Sequence, residues 1–180
     1  LFILSLLFYP FIAIAITLQD RGPIFITQER VGREGHLVRL YKFRSMSGND
    51  EGRYGEKRTT ALRVTSVGRF LRITRLDELP QLWNVLRGDL SLVGPRPELP
   101  TLVRTYEQQI PFYSVRHSVA PGLSGWAQMH QENHPHHGVA VLETKEKLSY
   151  DLYYVKHRSF SLDLFIMLRT VAVLLSRSGS

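Results

Sequence analysis

Apolar and polar positions divide this chain into three regimes. The first is a continuous apolar run, LFILSLLFYPFIAIAITLQ, which carries no charge from Leu1 to Gln19 and is closed by Asp20. At about 1.5 Å of rise per residue, a straight helix of that length just crosses a hydrocarbon layer of about 30 Å. Pro10 removes a backbone donor and collides with the preceding turn, which predicts a kink near Tyr9. A kinked helix can span the bilayer or turn back to the face it entered, and the pattern alone does not choose. Arg21, Arg30 and Arg33 put the downstream end on the cytoplasmic side. A cleaved signal peptide fits poorly, because a basic leading region and a small-residue cleavage site are both missing.

The second regime alternates. In PIFITQERVGREGHLVRLYKFRSM, Pro23 to Met46, β-branched and aromatic residues flank Gly32-Arg33-Glu34-Gly35, and the simplest expectation is a hairpin. Arg39, Lys42 and Arg44 crowd its second half. They form either a solvated face or a positive wall beside a phosphate site. Ser47 to Thr60 is polar and glycine-containing with no apolar period, and reads as a loop.

The third regime has helical spacing. Val67, Phe70, Leu71 and Thr74 predict a short amphipathic helix within Thr65 to Thr74. Leu79, Leu82, Trp83 and Leu86 follow i, i+3, i+4, i+7 and predict a helix with a buried stripe. Pro80, tolerated only in a first turn, starts that helix near Leu76 to Glu78, and Gly88 stops it. Pro97 to Tyr113 reads as a helix broken by Pro111, and Leu142 to Lys156 as a helix with Leu148, Leu152 and Val155 on one face. The tail, Ser161 to Leu175, is apolar but carries Asp163 and Arg169, which suits a core helix or one resting on lipid. These elements predict an α+β, mostly helical fold. Residues 1–20 form the membrane-inserted helix. Residues 21–180 form one catalytic core with a small β-hairpin and amphipathic interfacial helices.

Composition narrows the partners. The 180 residues suffice for one sizeable core. Lys and Arg total 23 against 16 Asp and Glu, a formal net charge of +7, which points to an anionic partner: nucleic acid, an anionic membrane surface or a phosphate-bearing small molecule. With no cysteine, disulfides and thiolate metal sites are excluded. The chain lacks an initiator Met and opens inside an apolar run, which is expected of a piece of a longer protein.

The charge that changes the picture is a pair of acids, Asp77 and Glu78, at the expected helix start. Asp is a favoured cap, and acids in a first turn suit the helix dipole by ~0.3–1 kcal/mol. Yet the pair sits among Arg69, Arg72, Arg75 and Arg87, and Gly94-Pro95-Arg96-Pro97 then fixes a rigid turn around Arg96. A guanidinium so held suits bidentate phosphate binding. Together these are the parts of a phosphoryl-transfer site, in which a carboxylate is a metal ligand or a nucleophile. Two adjacent anions call for a screening divalent cation, so Mg²⁺ held by Asp77 and Glu78 is the expected cofactor.

At this point the sequence resembles the bacterial sugar transferases, the monotopic polyprenyl-phosphate phosphoglycosyl transferases. The stretches that carry the resemblance are GPIFITQERVG, YKFRSM, TSVGRFLRITRLDELPQLWNVLRGDLSLVGPRP, PGLSGWAQ and KLSYDLYYVKHRSFSLDLFIMLRT, in family order. The resemblance implies an enzyme on the cytoplasmic face of the bacterial inner membrane, held by a helix that enters the bilayer and turns back at its proline. Pro10 then marks a re-entrant hairpin. The implied reaction moves a sugar-1-phosphate from a UDP-sugar to polyprenyl phosphate through an Asp adduct, an early step of exopolysaccharide assembly, and releases UMP. Asp77 is implied as nucleophile and Glu78 as its partner in metal binding or proton handling. Arg72 and Arg96 are implied to hold phosphate, with Arg44 in the positive wall, and Pro121 to Gln128, including Trp126 and Gln128, to lie near the nucleotide. The implied partners are the UDP-sugar, polyprenyl phosphate and membrane lipids, with no nucleic acid and with a homo-oligomer left open.

Two departures from the family pattern stand out. Many members have Ser before the membrane proline, where this chain has Tyr9, and the loop after Gly-Trp-Ala-Gln reads MHQENHPHH, Met129 to His137. His130, His134, His136 and His137 raise a transition-metal reading, against which stand the proline in the run and the lack of a regular element to set the spacing. Two rival functions remain beside the enzyme. One is an inactive, membrane-anchored homologue that binds nucleotide sugar or anionic lipid. The other is a nucleic-acid binder suggested by charge alone, for which no recognised module is visible.

Overall fold

The computed structural model describes residues 2–47, 63–130 and 141–177. The loop expected at Ser47 to Thr60 falls almost wholly outside them, as do His134, His136 and His137. The described chain is mostly helical with three small two-stranded sheets, and it gathers into two compact units. One is built on Leu1–Gln28 and Arg39–Leu86, the other on Glu29–Val38 and Arg87–Val173.

The first unit opens with α1 (Phe2–Leu6) and α2 (Tyr9–Gln19). Pro10 stands in the first turn of α2, where its missing N–H has no partner to lose, so the break falls just before the expected place, at Leu7 and Phe8. Ser5, one turn upstream, donates its hydroxyl to the Phe2 carbonyl at 2.7 Å. Taken together, Phe2–Gln19 is long and apolar enough to cross a membrane, and only 17% of it is buried. Its inner side, Ile12 and Ile16, packs on Phe43 and Leu71. Ile3, Leu4, Leu7, Phe11, Ile14 and Leu18 face outward.

The hairpin forms where expected, from β1 (Phe25–Val31) and β2 (Leu37–Phe43). Its turn, Arg33–Gly35, needs two left-handed residues, Glu34 at φ 55° and Gly35 at φ 80°. β3 (Met46–Ser47) pairs antiparallel with β4 (Arg63–Val64). α3 (Ser66–Thr74) then starts on a true cap, the Thr65 side chain accepting from the Gly68 N–H at 2.9 Å. Gly68 is required there, because a Cβ would lie 1.9 Å from the Ser45 carbonyl oxygen.

The next helix corrects the sequence reading. α4 runs Gln81–Arg87, and its buried positions are Gln81 and Asn84, while Trp83 and Leu86 are 46% and 61% exposed. Of the expected stripe, Leu79 packs against the Phe43–Leu71 cluster and Leu82 is half-buried, while Trp83 and Leu86 face out. Asn84 shows why the polar side goes in: its Oδ1 accepts from the Tyr41 N–H at 3.2 Å and its Nδ2 donates to the Arg39 carbonyl at 2.8 Å. One amide thus closes the free edge of β2 with both of its ends. Asn84→Ala is expected to strand both backbone groups and destabilise the protein by about 2–4 kcal/mol, read as a shift in denaturant midpoint.

The second unit has two apolar clusters. One joins Val31, Val103, Tyr106, Ile110, Tyr113 and Leu148, from the hairpin turn, α5 (Pro100–Gln109) and α7 (Val141–His157). The other joins Val93, Val119, Tyr154 and Ile166. It gathers β5 (Ser91–Val93), α6 (Trp126–His130), α7 and α8 (Phe160–Arg177), and β6 (Gly122–Ser124) pairs with β5. β5 and β6 are parallel, Ser91 opposite Gly122 and Val93 opposite Ser124. Along α8, Ile166 is buried while Leu164, Phe165, Leu168 and Val171 are exposed.

Candidate active site

Asp77 and Glu78 lie in a turn of their own. α3 ends at Arg75, a non-glycine residue in the left-handed region at φ 59°, and Leu76–Glu78 follows as a 3₁₀ turn. The cause is Pro80. Without an N–H it cannot continue an α-helical ladder back to Leu76, so the chain closes tighter bonds, Glu78 N–H to Arg75 O and Leu79 N–H to Leu76 O, both 3.2 Å. α4 therefore begins at Gln81, later than the sequence suggests. No side chain caps the 3₁₀ turn. Asp77 is not serving as a helix cap.

Its carboxylate is instead held unspent. Asp77 is 8% exposed, and its Oδ1 is sealed from water with no hydrogen-bond donor among the described residues. Burial and then the neighbouring Glu78 charge push its carboxyl above the usual carboxylate range, against the pull of Lys42, Arg75 and Arg72. Glu78 is paired with Lys42 at 3.3 Å. Arg72 is exposed, and its Nε donates to Ser45 Oγ at 2.9 Å, which leaves the outer end of the guanidinium clear of that bond. Lys42, Ser45, Arg72, Arg75, Asp77 and Glu78 belong to one unit. A carboxylate among cations, buried enough to be poorly solvated, is chemically suited to attack on phosphorus.

Arg44 is placed differently from the expectation of a phosphate wall. It is 8% exposed, with Nη1 at 3.2 Å from the Asp20 carboxylate and Nη2 donating to the Asp20 carbonyl at 2.6 Å. Here it fastens the end of α2 to the strand region.

Arg96, Trp126 and Gln128 belong to the second unit. The Gly-Pro-Arg-Pro turn and the Pro121 to Gln128 segment lie backbone to backbone: Gly94 N–H donates to Ser124 O at 2.9 Å and Gly122 N–H to Pro95 O at 3.0 Å. A Cβ at Gly122 would come within 2.1 Å of the Gly94 nitrogen. The turn is braced from below by a residue not singled out in the sequence. Arg116, 2% exposed, donates to the Arg96 carbonyl at 2.8 Å and to Asp151 Oδ2 at 2.7 and 2.8 Å. Glu98, two residues past Arg96, pairs with Lys147, and although burial opposes its charge, Lys147, Arg116 and Arg30 hold its carboxyl below the usual range. Trp126 stacks on Tyr153 at 5.5 Å and 22° and touches His130. The Gln128 Oε1 is sealed without a donor among the described residues. Next to Arg116, His117 is buried and held neutral, its pKa lowered to about 4 by burial and by the Arg116 charge.

No group of three or more His, Asp and Glu side chains gathers among the described residues. Two adjacent carboxylates, one with an idle oxygen, nevertheless suit Mg²⁺, which takes one or two protein carboxylates and completes its shell with water and phosphate.

The first unit thus combines an apolar helix long enough to cross a membrane with a buried carboxylate near Lys42, Arg72 and Arg75. The sequence profile described as Bacterial sugar transferase matches residues 1–177, and the chain belongs to that family. It is 44% identical over 172 residues to the UDP-N-acetylgalactosamine-undecaprenyl-phosphate N-acetylgalactosaminephosphotransferase of Aeromonas hydrophila, covering 93% of this chain and 39% of that one. It is 41% identical over 162 residues to the UDP-glucose:undecaprenyl-phosphate glucose-1-phosphate transferase of Escherichia coli K12, covering 89% and 34%. The sugar transferase EpsL of Bacillus subtilis is 39% identical over 164 residues, covering 91% and 76%. The chain thus spans 39% and 34% of the lengths of the first two relatives.

Proposed function

We propose that this chain is the catalytic part of a phosphoglycosyl transferase that moves a sugar-1-phosphate from a UDP-sugar to a polyprenyl phosphate at the cytoplasmic face of the bacterial inner membrane. The observation that carries it is the Asp77 carboxylate, buried without a partner for Oδ1 between Lys42, Arg72 and Arg75 in a sugar transferase. In the first step an Asp77 oxygen bonds to the sugar-bearing phosphorus and the bridging P–O bond breaks, so UMP leaves with that electron pair. In the second, a polyprenyl phosphate oxygen attacks the same phosphorus, and Asp77 is released as carboxylate. Within the unit that holds Asp77, Arg72 is assigned to the phosphate oxygens. Asp77 and Glu78 are the residues that would hold Mg²⁺, which supplies screening of the phosphate charge.

The exposed apolar residues fit the same setting. α1 and α2 enter the lipid and return at the break before Pro10. Phe70 and Ile73 of α3, and Trp83 and Leu86 of α4, rest on it. Phe2 meets Trp83 at 5.8 Å between ring centres, which joins the inserted helix to that outer face. A lipid phosphate and a water-soluble nucleotide can then meet at headgroup depth.

The test is mass spectrometry of the protein after UDP-N-acetylgalactosamine or UDP-glucose and Mg²⁺ are added without acceptor. A phosphosugar on the peptide containing Asp77 is expected. UMP release in the presence of polyprenyl phosphate with no adduct at any stage would refute the two-step reading.

A further inference from the structure

The inward side of the Asp77–Asn84 segment carries a second idle group. Asp77 in the 3₁₀ turn and Gln81 and Asn84 in α4 are all three buried. Asn84 has both ends of its amide matched to β2. Gln81, three residues earlier and 4% exposed, differs: its Nε2 is sealed from water with no acceptor among the described residues. Asp77 Oδ1, four residues earlier in the 3₁₀ turn, lacks a donor among the described residues. Asp77 Oδ1 and Gln81 Nε2 are thus an idle acceptor and an idle donor that do not satisfy each other.

Burying an amide donor with nothing to accept it opposes folding, and an apolar side chain of the same length would fill the space without that penalty. The same helix shows that a buried amide can be fully employed, as Asn84 is. We propose that Gln81 is a further catalytic residue, whose side-chain N–H donates to a non-bridging oxygen of the phosphoryl group that Asp77 attacks. This rests on the reading of Asp77 as nucleophile. A phosphoryl group is the one ligand that answers both orphans, offering phosphorus to Oδ1 and oxygen to Nε2.

Neutrality suits the donor to this place. A lysine or arginine at residue 81 would pair with the Asp77 carboxylate and quench it, whereas an amide leaves the charge on the nucleophile. As the Asp77 O–P bond forms and the bridging P–O bond breaks, charge shifts over the phosphoryl oxygens, and a donor fixed in advance stabilises that state more than the ground state. Gln81 gives up no proton. It donates a hydrogen bond throughout, and the UMP leaving group takes its electron pair from the broken bond.

The experiment uses the full chain in nanodiscs, with Mg²⁺ and whichever of UDP-N-acetylgalactosamine or UDP-glucose labels the wild type, and reads the single-turnover rate of adduct formation together with the melting temperature. Gln81→Met keeps the length and removes the donor. It is expected to form the adduct about a hundredfold more slowly while melting no lower than wild type. Gln81→Glu keeps the shape, also lacks the donor, and is expected to be slowed at least as much. A wild-type rate of adduct formation in either folded variant overturns the role of Gln81 and leaves Asp77 untouched. Should the Met variant melt well below wild type, the Glu variant decides the matter by the same rate. Failure of the underlying reading looks different: the wild type itself yields no adduct, or Asp77→Asn still yields one, and the proposal for Gln81 then falls with it.

Discussion

Asp77→Asn should lose at least about a thousandfold in turnover and form no phosphosugar adduct, while melting higher than the wild type at neutral pH. The two effects have one origin. Burial, then the Glu78 charge, raise the carboxyl of Asp77 above its ordinary range despite Lys42, Arg75 and Arg72. A carboxyl whose folded-state pKa is raised opposes folding when ionised. That opposition is full above the folded-state value, weakens as pH falls through it, and is gone below the unfolded-state value. An amide at residue 77 removes the charge and with it the opposition. The gain in melting temperature should therefore be present at neutral pH and shrink as the solution is acidified. Wild-type activity should fall on the acid side at a pH above that of an ordinary aspartate. A helix-cap role predicts otherwise, since Asn caps about as well as Asp, and would leave turnover intact. Purified Asp77→Asn with normal turnover would dispose of the nucleophile, and an inactive homologue would show no dependence on residue 77 at all.

The other large effect is structural. Arg116 and Asp151 are 2% and 1% exposed, and their contact also carries the bond to the Arg96 carbonyl. Arg116→Met alone leaves a buried carboxylate facing nothing, and a loss of about 3–5 kcal/mol in unfolding free energy is expected. Arg116→Met combined with Asp151→Leu should recover most of that loss, because two apolar side chains need no compensation. If the double variant regains stability but not activity, the pair's remaining task is to hold the Arg96 turn. Equal losses in the single and double variants would show that the ion pair is not what the single variant breaks. Denaturant melts and turnover on the same preparations read both quantities.

Much of the architecture was legible from local pattern. The hairpin announced itself through β-branched runs around Gly32 and Gly35, α3 and α7 through their spacing, and α8 through its apolar run. The orientation of α4 was not legible, and the reason is general. Periodicity says which residues share a face and leaves open which side of that face is the interior. Trp83 and Leu86 were assigned inward because water is the usual surroundings, and Asn84 reversed them by answering two backbone groups on β2, forty-odd residues away in sequence. The Asp77–Glu78 pair could be picked out as chemistry because arginines crowd it, but its turn could not, since Pro80 acts by the bond it fails to make. Arg44 reads with its neighbours as a positive wall, whereas the partner that claims it, Asp20, closes α2, 24 residues earlier. Arg116 and Asp151 went unmarked for a related reason: a buried pair thirty-five residues apart leaves no local trace. Gln81 was hidden by the stripe itself, being polar on the side presumed wet.

The outward-turned side of α4 has a practical consequence for anyone handling the protein. Tolerance to substitution should run backwards along this segment. At Trp83 and Leu86, one greasy side chain should replace another freely, while lysines there would make a molecule that disperses in buffer yet drifts from its lipid-borne acceptor. At Gln81 and Asn84, hydrophobic replacements that would consolidate an ordinary globule should here erase either the chemistry or the strand's hold on the helix. Solubility engineering guided by the usual inside–outside rule would thus repair the wrong side.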